Sequence, residues 1–438
     1  LSFPKKKNHK ISSLTGISIV LANMIGTGVF TSLGFQLNDI SNISVIITVW
    51  VLGGFFALSG AFSYAEIGTN IKKSGGEYAF LSEIYNPLTG YLSGWISMTV
   101  GFAAPIVLSA LAFVEYLPFK TDYPKILAAI VILGITFIHS FNLKVSSGFQ
   151  NISTFIKIAL IVVLIALGFY IPSTSGNTVS LDHDYFSQLG TTAFVIALIY
   201  VTYSYSGWNA SAYITEEFKT PKKSLLISLL GGTFLVTILY TLLQIVFLRH
   251  ASISELSGQI NVGTIAVKNM LGDYVSKIFS ALISVLLLSG ISAMIWIGSR
   301  VTASIANDHQ LWKPLQSDKN KIPVKSLWFQ SFISIILLLS GTFEQILIYC
   351  GILLTLSSAM TVLGVFIIRS KNKNAGQDTY KSPLFPFFQI LFLFLSLIMI
   401  VFAIIRTPKE IAIGFMNLII GLFTFYLSKK MERNIKNN

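Results

Sequence analysis

Two stretches of the sequence place small and polar residues where an apolar run would otherwise continue. The first is Asn23-Met24-Ile25-Gly26-Thr27-Gly28-Val29-Phe30, in which two glycines flank a threonine. The second is Tyr203-Ser204-Tyr205-Ser206-Gly207-Trp208-Asn209. Each glycine lowers helix stability. In hydrocarbon a broken helix leaves amides and carbonyls unpaired, and each unpaired group costs several kcal/mol. Such a break persists where something else bonds those groups. The N-terminus of a half-helix offers amides and a positive dipole end to an anion, and a half-helix C-terminus offers carbonyls to a cation. The chemistry on offer is therefore binding, and a zwitterion with carboxylate and ammonium on one carbon suits the two poles. A third feature is Lys157, a lone cation in the apolar run Phe155-Ile156-Lys157-Ile158-Ala159-Leu160.

The elements that must position these residues are membrane helices. Of 438 residues, 53% are apolar and 11% charged, against about a quarter charged in a soluble domain. Such a surface must face lipid. A span needs about 20 mostly apolar residues. Twelve candidates lie near 11–36, 43–68, 88–117, 124–141, 150–171, 188–215, 224–249, 273–306, 326–341, 344–368, 385–405 and 411–428. The expected fold is an all-α membrane protein with 12 transmembrane helices. Lys5-Lys6-Lys7 before an apolar run imitates a signal peptide, but the run from Ile11 to Gln36 is too long and reads as the first span. A first residue other than Met is expected of a trimmed N-terminus.

The net charge of +13 is consistent with basic cytoplasmic loops. With an inside N-terminus, 23 of the 31 lysines and arginines fall on the cytoplasmic side, among them Lys5, Lys72, Lys319, Lys321, Arg369 and Lys373. Seven fall outside, and Lys157 is left over in span five. Both termini are then cytoplasmic. No nucleic-acid partner is implied. Cys350 is the single cysteine, so neither an internal disulfide nor a disulfide-linked partner is implied, and no metal site or cofactor is expected. Five scattered histidines lack ligand spacing, and His139 reads as a helix-end residue.

The two breaks fall in spans one and six. If spans one to five and six to ten are inverted repeats, the breaks occupy matching positions, the best sequence pointer to a transporter site. Helix packing is the competing explanation for a single glycine motif, as at Gly90-x3-Gly94 and Gly53-Gly54. The pairing of the breaks favours binding. A non-transporting membrane sensor is the second hypothesis, and a signalling domain that would mark one is not read here. An enzyme is disfavoured because no nucleophile is paired with a base at membrane depth.

At these residues the chain resembles the amino acid–polyamine–organocation family of permeases, and its L-type, sodium-independent branch in particular. Met24-Ile25-Gly26-Thr27-Gly28-Val29-Phe30 is similar to the family's first-helix signature. Tyr64-Ala65-Glu66-Ile67-Gly68 and Ser74-Gly75-Gly76-Glu77-Tyr78 are similar to its second-to-third-helix loop. Tyr205-Ser206-Gly207-Trp208-Asn209 with Thr215-Glu216-Glu217 and Pro221 resembles the sixth helix and following loop, and Lys157 matches a fifth-helix lysine.

The resemblance implies a five-plus-five inverted-repeat (LeuT-like) fold with two trailing helices. Its parts would be a cytoplasmic tail 1–10, repeats 11–171 and 188–368, helices eleven and twelve in 385–428, and a tail 429–438. It implies a secondary amino-acid transporter of the plasma membrane, working by alternating access, by exchange or proton coupling. Carried over by position, amides around Thr27 and Gly28 hold the substrate carboxylate, carbonyls near Ile25, Tyr203, Ser204 and Ser206 hold the ammonium, and Gly26 belongs to the same substrate site. Tyr203 takes the place of an aromatic gate, Trp208 closes over substrate and Asn209 contacts the pocket. Lys157 supplies the cation that sodium-dependent relatives take from solution, donating to the Gly26 carbonyl and to Ser289 or Ser292.

A neutral amino acid is expected, since no carboxylate lies at mid-membrane depth in spans one, three, six, eight or ten; a cationic amino acid or polyamine is the alternative. Ser97, Met98, Ser206, Ile291 and Tyr349 are the expected pocket neighbours. Glu66 and Glu77 read equally as inner-gate latches with Lys or Arg partners and as solvated interfacial charges.

Overall fold

The computed structural model describes residues 11–437 apart from 72, 74, 142–143, 178–180, 182, 318–321 and 372–379. The tail 1–10 with Lys5, Lys6 and Lys7, the loop residues Lys72, Ser74, Lys319, Lys321 and Lys373, and the last residue of the tail 429–438 lie outside the described residues.

The described chain is helical throughout its length. The first half holds α1 (Ser13–Met24), α2 (Gly28–Gln36), α3 (Ile43–Asn70), α4 (Gly76–Ile84), α5 (Pro87–Ile96), α6 (Ala103–Glu115), α7 (Pro124–Phe141), α8 (Lys144–Tyr170) and α9 (His183–Gln188). The second holds α10 (Thr192–Ser204), α11 (Pro221–His250), α12 (Ile253–Leu256), α13 (Val262–Leu271), α14 (Asp273–Asp308), α15 (Val324–Ser340), α16 (Phe343–Lys371), α17 (Phe387–Arg406) and α18 (Pro408–Asn437). Among the described residues nine stretches are long and apolar enough to cross a membrane, and a tenth if α1 and α2 form one bent span. The expected sixth and ninth spans appear as shorter apolar helices, α10 and α15.

Local chemistry sets the helix ends. Asn42 caps α3 by accepting from the Ser44 amide at 2.8 Å, and Thr191 caps α10 through the Phe194 amide at 3.3 Å. Pro87 opens α5 and Pro221 opens α11, where a missing N–H is harmless. The third span is continuous from α5 to α6 through a π-turn at Ser97–Gly101.

Packing separates two kinds of helix. α3, α10 and α11 pack together, and a buried triad of Trp50, Tyr205 and Tyr240 ties α3, the turn after α10, and α11, with ring centroids 5.2–6.1 Å apart. α7, α17 and α18 instead carry exposed apolar stripes, including Ile130, Phe137, Phe394, Leu397, Ile419 and Phe423. Faces of that size and polarity belong in lipid, so this is an integral membrane protein.

A candidate binding site at two interrupted helices

The first span breaks where the glycines predict. α1 ends at Met24 and α2 begins at Gly28, with a 43° bend between them. Ile25 closes α1 by donating to Leu21 O at 2.9 Å, and the Gly26 amide turns back to Met24 O at 2.8 Å. Thr27 is the N-cap of α2, yet no side chain caps that helix. Its leading amides therefore have neither an intrahelical partner nor a side-chain cap.

The two glycines of the motif do different things. A Cβ on Gly28 would lie 2.6 Å from Ser204 Cα, so Gly28 is the contact that lets α2 and α10 touch backbone to backbone. Beside it Ser204 Oγ shares a hydrogen bond with Ser32 Oγ at 2.9 Å and donates to Tyr200 O. A Cβ on Gly26 would meet only Met24 O, at 3.9 Å. Gly26 is partly exposed, as are Ser206, Gly207 and Asn209. Open space thus adjoins both interruptions.

The sixth span breaks after Ser204. The Ser206 amide donates to Tyr203 O at 2.9 Å. Gly207 adopts φ +97°, a conformation that favours glycine, and a Cβ there would come within 2.8 Å of the Asn23 backbone. The chain resumes as a 3-10 helix at Ala210–Glu217. The left-handed turn therefore seats one break against the last turn of α1.

Lys157 reaches the same place from α8. It is 7% exposed, and its Nζ donates to Ile25 O at 3.3 Å. A Cβ built on Gly290 of α14 would lie 3.9 Å from that nitrogen. The carbonyl is Ile25's and not the expected Gly26's, because the chain has already left helical geometry at Ile25 (ψ 84°) and turned that oxygen sideways. Ser292, an expected partner, shares its hydroxyl hydrogen bond with His139 Nε2 at 2.8 Å.

Other expected residues are dispersed. Trp208 stacks edge-on against Tyr64, with centroids 4.7 Å apart, and covers Gly60 of α3 and Phe392 of α17. There it packs between α3 and α17. Met98 joins Tyr91, Trp95, Ile305 and Phe425 in a separate cluster, and Tyr349 lies against Gly414 of α18. Ser97 starts the π-turn, and Ile291 is fully buried. Asn209 donates to Glu77 Oε1 at 3.2 Å.

The two loop glutamates have different partners. Glu66 is 2% exposed and meets Arg369 at two points, Nε–Oε1 and Nη2–Oε2, both 2.7 Å. The Ser382 amide adds a third bond at 2.7 Å, and the guanidinium lies 3.9 Å over the Phe385 ring. Glu77 has hydroxyl and amide partners instead. Arg300 near the end of α14 is exposed and stacks on Trp296 at 4.6 Å.

Sequence reading passed over three residues that fix the first break. Tyr240 donates to Met24 O, Gln244 Nε2 to Val29 O at 2.9 Å, and Tyr116 to Phe30 O at 2.8 Å. A polar side chain in an otherwise apolar run was the available signal.

The chain's family model match is described as amino acid permease and spans residues 11–425. Curated relatives agree along nearly the full length. The b(0,+)-type amino acid transporter 1 of Homo sapiens is 27% identical over 95% of this chain and 87% of its own. The Homo sapiens cystine/glutamate transporter is 26% identical over 96% and 85%, respectively. The large neutral amino acids transporter small subunit 2 of Homo sapiens is 25% identical over 95% and 80%.

Proposed function

The chain belongs to the amino acid permease family, and from that premise we propose that it is a secondary transporter that carries a neutral amino acid without sodium. The observation that carries the proposal is the open space at Gly26, bounded by the uncapped start of α2, the turn at Ser206-Gly207 and the Lys157 ammonium. α2 supplies unpaired amides for a carboxylate. The end of α10 supplies carbonyls for an ammonium. Ile25 O already accepts one hydrogen bond, from Lys157, and keeps a second lone pair, whereas Tyr203 O is met by the Tyr205 and Ser206 amides.

Neutral selectivity is supported by the charges nearby. Glu77 is the carboxylate bonded to the span-six segment, and four donors occupy its oxygens. A cationic side chain would find no free carboxylate there, and a buried unpaired charge is costly. That one relative is named for large neutral amino acids fits this reading.

Sodium independence rests on Lys157. A buried ammonium bonded to Ile25 O at the first break, with Gly290 of α14 close by, stands where a bound cation could stand. In this reading the sequence forms two inverted five-helix repeats, 11–171 and 188–368, followed by α17 and α18. α10 and α15 complete twelve spans, and both termini face the cytoplasm of the cell membrane. Alternating access then consists of exposing the Gly26 space to one face at a time, by exchange or with protons.

The test is uptake of labelled amino acids into proteoliposomes, with competition by unlabelled ones. Alanine, serine or leucine should displace label better than arginine or lysine. Binding without uptake would favour a sensor.

A further inference from the structure

Glu77 is 4% exposed and none of the described lysines or arginines pairs with it. A buried charge of this kind is stable only when its oxygens are saturated with hydrogen bonds. The donors come from three other elements. Tyr64 of α3 and Ser357 of α16 make short bonds to it, Ser358 of α16 donates at 2.9 Å, and Asn209 of the span-six turn donates at 3.2 Å. Ser357 in turn shares a hydrogen bond with Ser93 of α5 at 2.9 Å.

The neighbouring glycines bring the same two segments together a second time. The Gly75 amide donates to Tyr213 O at 3.1 Å, and the Tyr213 ring occupies the space where a side chain on Gly76 would stand. The chain at 75–77 therefore grips the chain at 209–213 by one side-chain bond and one backbone bond. Asn209 lies two residues beyond Gly207, the left-handed glycine that seats the break against Asn23. Little flexible chain separates the carboxylate's grip from the break.

We infer that Glu77 is a positioning residue for transport: through the Asn209 amide it holds the inner end of the interrupted sixth helix against α3 and α16. This deepens the proposed site and rests on the transporter reading. Glu77 does not touch substrate. It acts by fixing the turn at Ser206-Gly207, which packs on Asn23 beside the first break. The hydroxyl donors can rotate to suit a neutral amide, so E77Q removes charge with little change of shape, and N209A removes the one donor that belongs to span six.

The test uses the protein carrying C350S, which removes the single cysteine of this sequence, and S206C, which places one at the break. A membrane-impermeant maleimide is applied to inside-out vesicles, and substrate KM and kcat are measured separately on the protein with its native cysteine. N209A and E77Q are each expected to speed labelling about tenfold and to raise cytoplasmic-side KM by a similar factor, with kcat changed less. The double variant should do no more than the stronger single one, and E77D should restore part of the loss. Unchanged labelling and KM in N209A, or fully additive effects in the double variant, would overturn the inference. If E77Q elutes as aggregate, the N209A result decides. Faster labelling in a protein that binds no amino acid would keep the positioning role and defeat the transporter reading.

Discussion

The ammonium of Lys157 lies 3.3 Å from the carbonyl oxygen of Ile25, the point at which the first helix stops being a helix. One residue later the chain opens onto unfilled space at Gly26. A charge from one helix and an interruption in another thus share one place, and both are explained if that place binds a ligand.

Gly26 and Gly28 should respond differently to the same change. G26A adds a methyl to open space, so the protein should fold and its substrate KM should rise about tenfold or more. G28V drives a branched side chain into the Ser204 backbone. It should lower stability by about 1–3 kcal/mol or more, as overpacking does, and yield little monodisperse protein. Gel filtration with binding measured on the eluted peak separates the two. A G26A protein with unchanged KM would remove Gly26 from the site.

Trp208 gives a prediction in the opposite sense. Its indole packs between Tyr64, Gly60 and Phe392. W208A should cost about 3–5 kcal/mol, as emptying a large aromatic site does, whereas W208F should retain substrate KM within about twofold. A large KM change in a W208F protein of normal thermal stability would return Trp208 to the substrate.

The Glu66–Arg369 pair should govern stability where α3 meets α16. Removing Arg369 leaves Glu66 buried, with the Ser382 amide still donating to it. R369A should lose roughly 3 kcal/mol, visible as a lower unfolding temperature in detergent. R369K should recover little of it, because a lysine ammonium cannot make the two-point contact or stack on Phe385. Equal unfolding temperatures for wild type and R369A would show that the pair is not a clamp.

The architecture was legible because lipid imposes it: runs such as 43–68 and 273–306 have one physical solution. The breaks were legible because glycine and serine are anomalous at that depth. What sequence could not supply is side-chain direction past an irregular turn. Gly207 reverses the chain, so Trp208 points to α3 and not to the break. Met98 continues the helical spacing of Tyr91 and Trp95 at the start of the π-turn, and so faces their cluster in place of the pocket. The Glu77 cluster was hidden for a different reason. Its partners at Ser357 and Ser358 stand some 280 residues away in the chain, and no periodicity links them.

In the proposed transporter Lys157 takes the place of a bound cation at the first break. The direct measurement is uptake of a labelled neutral amino acid into proteoliposomes, with sodium and with choline in its place, for wild type and K157A. Wild-type uptake should be the same in both media. K157A should elute as a folded peak and transport at least about tenfold more slowly, since Ile25 O at the break loses its buried ammonium. Strict sodium dependence in the wild type, or full activity in K157A, would contradict the claim.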